Sequence, residues 1–256
     1  LKLNRLHLHL TDDQGWRDIA PCPPLLTQGS GRTQGGGGPG GFYTPADVAR
    51  IVGGAQDLGI VVVPEIDLPG HTNAAQHAYA ELNPDGEPVP AYGGIDVGFS
   101  RLHADLPATE PFVREVLAEV AELFGTGYLH VGGDEALTLD RPEYVHLVRL
   151  ALDQVAASGA RPVAWQEAAV AGPAPGTLLQ WWEERQDAAA LLSAAERGAR
   201  VIASPAGRTY LDLKYDADFP LGLEWAGHLP LRRAYEWDPA VALPGLPVDA
   251  LEGVEA

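Results

Sequence analysis

Two adjacent carboxylates, Asp134 and Glu135, follow the apolar run Tyr128-Leu129-His130-Val131 and a pair of glycines, Gly132-Gly133. A short apolar run that stops at Gly-Gly reads as a buried parallel strand meeting a loop. Acidic side chains are depleted in strands and costly to bury unpaired, so a pair at a strand's end points to a site. Adjacent carboxylates in different surroundings can be driven to different pKa values. One then keeps a proton at neutral pH while its neighbour stays charged, which suits general acid–base chemistry beside a fixed negative charge. The plain alternative is an acidic pair capping the next helix. The rest of the chain decides between them.

Comparable polar sets follow the other apolar runs: Thr11-Asp12-Asp13-Gln14, Glu65-Ile66-Asp67 with His71, Trp165-Gln166-Glu167, Gln180-Trp181-Trp182, and Ser204. The runs predict strands over residues 3–10, 60–66, 128–131, 162–165, 177–181 and 200–203. Helical spacing predicts helices over 45–58, 110–124, 141–157 and 187–197. Such alternation is the pattern of βα units on a parallel sheet. Thr44-Pro45-Ala46-Asp47 offers an N-cap hydroxyl, a proline at the first helical position and a carboxylate near the positive end of the dipole. Gly59 stands where a C-cap belongs. In the second helix Phe112, Val113, Val116, Leu117, Val120, Leu123 and Phe124 form one apolar stripe, with Arg114, Glu115, Glu119 and Glu122 outward. The glycine-rich stretch 35–41 reads as a loop, and no linker divides the chain, so residues 1–256 are expected to form a single domain.

Strands joined by right-handed crossovers build either an open doubly wound sheet or a (β/α)8 barrel. An open sheet concentrates its site at one switch point, whereas a barrel draws residues from many strand ends around one mouth. Polar sets after nearly every strand favour the barrel. The expected fold is therefore α/β, a TIM-type (β/α)8 barrel. It is expected to be incomplete, because the chain opens on Leu1-Lys2-Leu3 with no methionine and reads as a fragment of a longer protein.

Composition narrows the function. A net charge of −18 disfavours nucleic acid as a partner. No stretch of about twenty apolar residues is found, so no membrane span is expected. Cys22 is the only cysteine, which excludes an internal disulfide.

Several segments together resemble glycoside hydrolase family 20, the β-N-acetylhexosaminidases, and its secreted bacterial members in particular. They are Leu6-His7-Leu8-His9-Leu10-Thr11-Asp12-Asp13-Gln14-Gly15-Trp16-Arg17, Val63-Pro64-Glu65-Ile66-Asp67-Leu68-Pro69-Gly70-His71-Thr72-Asn73-Ala74-Ala75, the run 130–135, and Ser204-Pro205-Ala206-Gly207-Arg208-Thr209-Tyr210-Leu211-Asp212. The resemblance implies retaining, substrate-assisted hydrolysis, an exception to the two-carboxylate scheme, in which the substrate's own 2-acetamido oxygen is the nucleophile. It implies Glu135 as general acid and then base, Asp134 as the stabiliser of the acetamido group, and Tyr210 as a hydroxyl donor to the acetamido oxygen. By the same resemblance Asp212 binds sugar hydroxyls, Trp165 and Trp182 wall the acetamido pocket, and His71 links Asp12 to Glu135.

The plainer readings are core packing for each tryptophan, a turn carboxylate for Asp12 and a satisfied loop histidine for His71. Trp181 is a rival to Trp182, but the family pattern favours the latter. The resemblance also implies that the family's first strand, with an arginine that grips sugar hydroxyls, precedes Leu1, and that a tryptophan and a glutamate closing the pocket follow Ala256. The implied partner is an N-acetylglucosamine or N-acetylgalactosamine glycoside, including chitooligosaccharides, and the implied location is secreted or extracytoplasmic. No cofactor and no metal are expected.

Two rival functions remain. His7-Leu8-His9 puts two imidazoles on one strand face and His130 offers a third, as in metal-dependent barrel amidohydrolases. A non-catalytic sugar-binding barrel is the other. Such a binder is expected to lose the acid while keeping the tryptophans, and here Asp134, Glu135 and Tyr210 are all present.

Overall fold

The computed structural model describes residues 2–17 and 40–256. Cys22 and nearly all of the predicted loop 35–41 lie outside the described residues. The chain forms two compact units, Leu1–Val163 and Ala164–Ala256.

In the first unit β1 (Arg5–His9), β4 (Val61–Glu65), β5 (Tyr128–His130) and β6 (Arg161–Trp165, which runs on into the second unit) pair in parallel in that order. The short strands β2 (Thr11–Asp12) and β3 (Gly15–Trp16) form an antiparallel ladder just after β1. Helices α1 (Pro45–Asp57), α2 (Asn73–Ala78), α3 (Thr109–Phe124) and α4 (Arg141–Ala157) fill the connections. The register sets His9 opposite Glu65, and Glu65 opposite His130, at the C-terminal ends of three neighbouring strands.

Local chemistry accounts for the helix ends. The Thr44 hydroxyl accepts from the Asp47 N–H at 3.1 Å, and the Asp47 carboxylate accepts from the Thr44 N–H at 2.9 Å, a complete capping box. Helix α1 stops one residue before the predicted end, because Leu58 already leaves helical geometry and Gly59 takes a left-handed φ of 71°. Helix α4 keeps its predicted bounds, with the Asp140 carboxylate accepting the Glu143 N–H at 2.9 Å. In α3 Phe112, Val113, Val116, Leu117, Val120 and Phe124 are buried as the stripe requires, while Leu123 is only half-buried. Each fully buried Val or Leu there contributes roughly 1.5–3 kcal/mol.

The second unit holds β7 (Leu178–Trp181), β8 (Arg200–Ala203) and β9 (Leu251–Val254), paired in parallel. A 3-10 segment of about two turns, Gln166–Ala171, precedes β7, helix α5 (Ala189–Glu196) joins β7 to β8, and α6 (Ala206–Thr209), α7 (Leu231–Tyr235) and α8 (Pro239–Ala242) precede β9. Strand β9 is absent from the sequence-based prediction. Its residues, Leu251-Glu252-Gly253-Val254, include two types depleted in strands, and its pairing with β8 carries an irregularity between Val201 and Ile202. Among the described residues no helix is long and apolar enough to cross a membrane.

Candidate active site

Strand ends in the first unit bring four of the expected residues into one network. Asp12 lies in β2, His71 in the loop after β4, and Asp134 and Glu135 in the loop after β5. His71 Nδ1 is 3.0 Å from Asp12 Oδ1. Its other nitrogen, Nε2, is 3.5 Å from Glu135 Oε2 and 3.6 Å from Asp134 Oδ2. One imidazole thus faces a carboxylate on one side and the acidic pair on the other.

The backbone is unusual at the same place. His71 has φ 53° and Glu135 φ 42°, left-handed values that cost a non-glycine residue free energy. Gly132, at φ 69°, passes so close to Asp67 that a Cβ there would collide with its carboxylate. Gly133 N–H donates to Asp67 Oδ1 at 3.3 Å, and Asp67 N–H donates to Thr11 Oγ1 at 2.8 Å. The loop that presents the acidic pair is therefore held by Asp67, just past β4, which is itself tied to Thr11 of β2.

Charge follows from these contacts. Burial alone would push the His71 imidazole down, but its hydrogen bonds to Asp12 and Glu135 and the nearby charges of Asp67 and Asp134 outweigh it, and its pKa is pushed up to about 12. Burial pushes Asp12 the other way and is likewise overcome: hydrogen bonds from His71 and His9 hold its carboxyl well below the usual range. Burial, reinforced by the charge of Asp134, raises Asp67 well above the ordinary carboxylate value. Asp13, buried beside Asp12, is raised by burial although Ser100 and the Asn73 N–H both donate to it.

Deeper in the unit Glu65 is fully buried, with His7 Nε2 at 3.0 Å, His9 Nδ1 at 2.8 Å and His130 Nδ1 at 3.0 Å. Those are hydrogen-bond distances. The imidazoles that suggested a metal site cluster around this one carboxylate, and His130 Nδ1 also accepts from the Gly132 N–H at 3.0 Å. Sequence reasoning placed Glu65 and Asp67 in a polar set at a strand's end without giving either a role, and weighed His9 only as a metal ligand.

The second unit assembles aromatic residues. Trp165 and Trp182 have ring centroids 6.4 Å apart at an interplanar angle of 70°. Tyr210 stacks on Trp182 at 6.4 Å and 28°. Trp225, which sequence reasoning missed, closes the group at 5.9 Å from Trp182 and 5.5 Å from Tyr210. It lies in a stretch without strand or helix periodicity, so no sequence signal marked it. Trp182 is held by its indole N–H, which donates to Glu167 Oε1 at 3.2 Å, and by its backbone N–H, which donates to Gln166 Oε1 at 2.9 Å. Trp181, its neighbour, is buried within β7 and takes no part in these ring contacts. Asp212 carries an exposed side chain two residues after Tyr210.

Comparison with known proteins gives the family and the fold. The family described as "Glycosyl hydrolase family 20, catalytic domain" matches residues 1–144 and 143–253. A beta-N-acetylhexosaminidase of Cellulomonas fimi is 54% identical over 255 residues, covering 100% of this chain and 51% of that protein. The solved N-acetyl-beta-hexosaminidase of Streptomyces plicatus in complex with Thio-NAglucal is 49% identical with a TM-score of 0.96, over 99% of this chain and 52% of that one. A mutant of the same Streptomyces plicatus enzyme, in complex with product (GlcNAc), superposes with a TM-score of 0.95 at 49% identity, over 99% of this chain and 52% of that one. This chain spans about half the length of the relatives it matches. The α/β fold is that of an incomplete (β/α)8 barrel, as the strand-end chemistry predicted, and the metal-dependent amidohydrolase reading falls away. The chain belongs to glycosyl hydrolase family 20.

Proposed function

We propose that the protein of which this chain is part is a retaining β-N-acetylhexosaminidase that removes terminal N-acetylhexosamine from the non-reducing end of β-linked glycans or chitooligosaccharides. The observation that carries the reading is the placement of His71 Nε2 within 3.6 Å of both Asp134 and Glu135 while its Nδ1 holds Asp12. Family membership supplies the reaction class, and the carboxylate pair supplies the chemistry.

In this reading the acetamido oxygen of the substrate attacks the anomeric carbon as the glycosidic C–O bond breaks. Glu135 gives its proton to the leaving oxygen, and an oxazolinium intermediate forms. Water then attacks the anomeric carbon from the face the leaving group vacated, and Glu135 takes its proton. Asp134 accepts a hydrogen bond from the acetamido N–H and opposes the positive charge that develops there. Once Glu135 has lost its proton, the His71 imidazolium, 3.5 Å away, offsets its new charge. Tyr210 holds the acetamido oxygen in line, Trp165 and Trp182 pack on the acetamido methyl, and Asp212 binds sugar hydroxyls. Each of these roles rests on the match to the family's motifs.

A double inversion leaves the β-configuration, so NMR of the first-formed sugar from the full-length protein is expected to show the β-anomer. An initial α-anomer would sink the mechanism. Location outside the cytoplasm is supported only by the likeness to secreted bacterial members, and fractionation of the source cells tests it.

A further inference from the structure

The ion-pair chain does not end at Asp12. The carboxylate oxygen that His71 leaves aside, Oδ2, lies 3.3 Å from His9 Nε2, and His9 Nδ1 lies 2.8 Å from Glu65 Oε2. The register explains the alignment, because His9 and Glu65 are direct partners across β1 and β4. We propose that His9 and Glu65 are positioning residues that fix Asp12 against His71, so that Glu65, His9, Asp12 and His71 form one chain of alternating charge ending at Glu135. The proposal rests on the hexosaminidase reading for its consequence at Glu135, while the link itself is independent of that reading.

Packing alone does not explain His9. Each of its ring nitrogens is committed to a different carboxylate. Glu65 also has His7 Nε2 and His130 Nδ1 at 3.0 Å, so His9 is one of three imidazoles around it. What the third imidazole adds is the connection to Asp12. Burial works against a charge on His9, but Glu65 and Asp12 together raise its pKa well above the ordinary histidine value. The charged and titratable groups facing this chain are His7, His130 and Asp67 around Glu65, Asp13 beside Asp12, and Asp67, Asp134 and Glu135 around His71.

The test uses His9→Gln, Glu65→Gln and the double variant in the full-length protein. Without the His9 cation, Asp12 holds its charge less firmly, so its carboxyl ¹³C resonance is expected to titrate at higher pH than in the wild type. That measurement needs no substrate. In turnover, His9→Gln, which removes one positive charge linked to Glu135 through Asp12 and His71, is expected to move the basic limb of the kcat/KM profile up by about half to one pH unit. The value of kcat is expected to fall on the order of tenfold, within what small misplacement can cost. KM should change far less, since the proposal gives neither residue a contact with the sugar.

Glu65 acts through His9, so the double variant should be no worse than the more impaired single one. Should Glu65→Gln fail to fold, His9→Gln at its half-exposed position still decides the question. An unmoved Asp12 titration, or a fall in kcat with no shift of the basic limb, overturns the proposal. A wild-type protein that releases no N-acetylhexosamine overturns the hexosaminidase reading instead, and the Asp12 titration still decides the link.

Discussion

Asp134 and Glu135 lie at nearly the same distance from His71 Nε2, 3.6 and 3.5 Å, and the proposed mechanism gives them different work. In the proposed mechanism Glu135→Gln removes the proton donor, so hydrolysis of substrates with poor leaving groups is expected to be nearly abolished. Activated aryl glycosides should suffer less, because their leaving groups depart unprotonated. Equal losses on both substrate classes would mean that Glu135 is not the acid. Asp134→Asn keeps the size of the side chain and an acceptor oxygen but removes the charge. The loss should appear mainly in kcat, by roughly 2.7–4 kcal/mol, the usual scale for an electrostatic group aimed at developing charge. A thiazoline mimic of the intermediate should weaken far more than the product sugar. Equal weakening would make Asp134 a ground-state binding residue. Asp12, His71, Asp134 and Glu135 were legible because each sits in a motif at a strand's end. Glu65 and His9 were not, because their role lies in a cross-strand register that no linear spacing displays.

Among the elements, α3 shows what periodicity can and cannot predict. Its stripe was readable because 3.6-residue spacing is a local property, and Leu117 is fully buried in it. Leu117→Ala is expected to cost about 2–5 kcal/mol of stability, lost transfer energy plus a cavity. Urea denaturation measures it, with a lower midpoint at an unchanged slope. A change under about 1 kcal/mol would mean that the helix collapses onto the space or that the stripe is not core. Helix α1 was equally readable, since Thr44 announces its start, and α4 was readable from its spacing, with Asp140 found as its cap in the structure. Strand β9 was not, because Glu252 and Gly253 have no strand preference and it is the partner β8 that makes them a strand. The aromatic group shows the same divide. Trp165, Trp182 and Tyr210 stand in motifs, whereas Trp225 joins them by the path of a chain segment with no periodic signal.

For the whole molecule, the buried charges of the first unit set how stability depends on pH. Asp12 and Glu65 have folded-state pKa values below their unfolded ones. Their stabilisation is present above about pH 4 and is lost as pH falls through the folded values. Asp67 and Asp13 are raised, so the fold favours their protonated forms, and their contribution is lost as pH rises from about 4 through the folded values. His71, raised to about 12, adds stability that is full below its unfolded value of about 6.5 and declines above it. A net charge of −18 adds self-repulsion as the remaining groups ionise. These terms together place maximum stability near about pH 5, at the acid end of the usual range, with a steep fall below and a slower decline above. Thermal melts from pH 3 to 9 measure it. Asp67→Asn leaves no charge to bury, so its Tm relative to wild type should improve steadily as pH rises from about 4 to 8, whatever its offset at pH 4. A Tm difference that stays constant across that range would show that Asp67 is ionised in the folded protein.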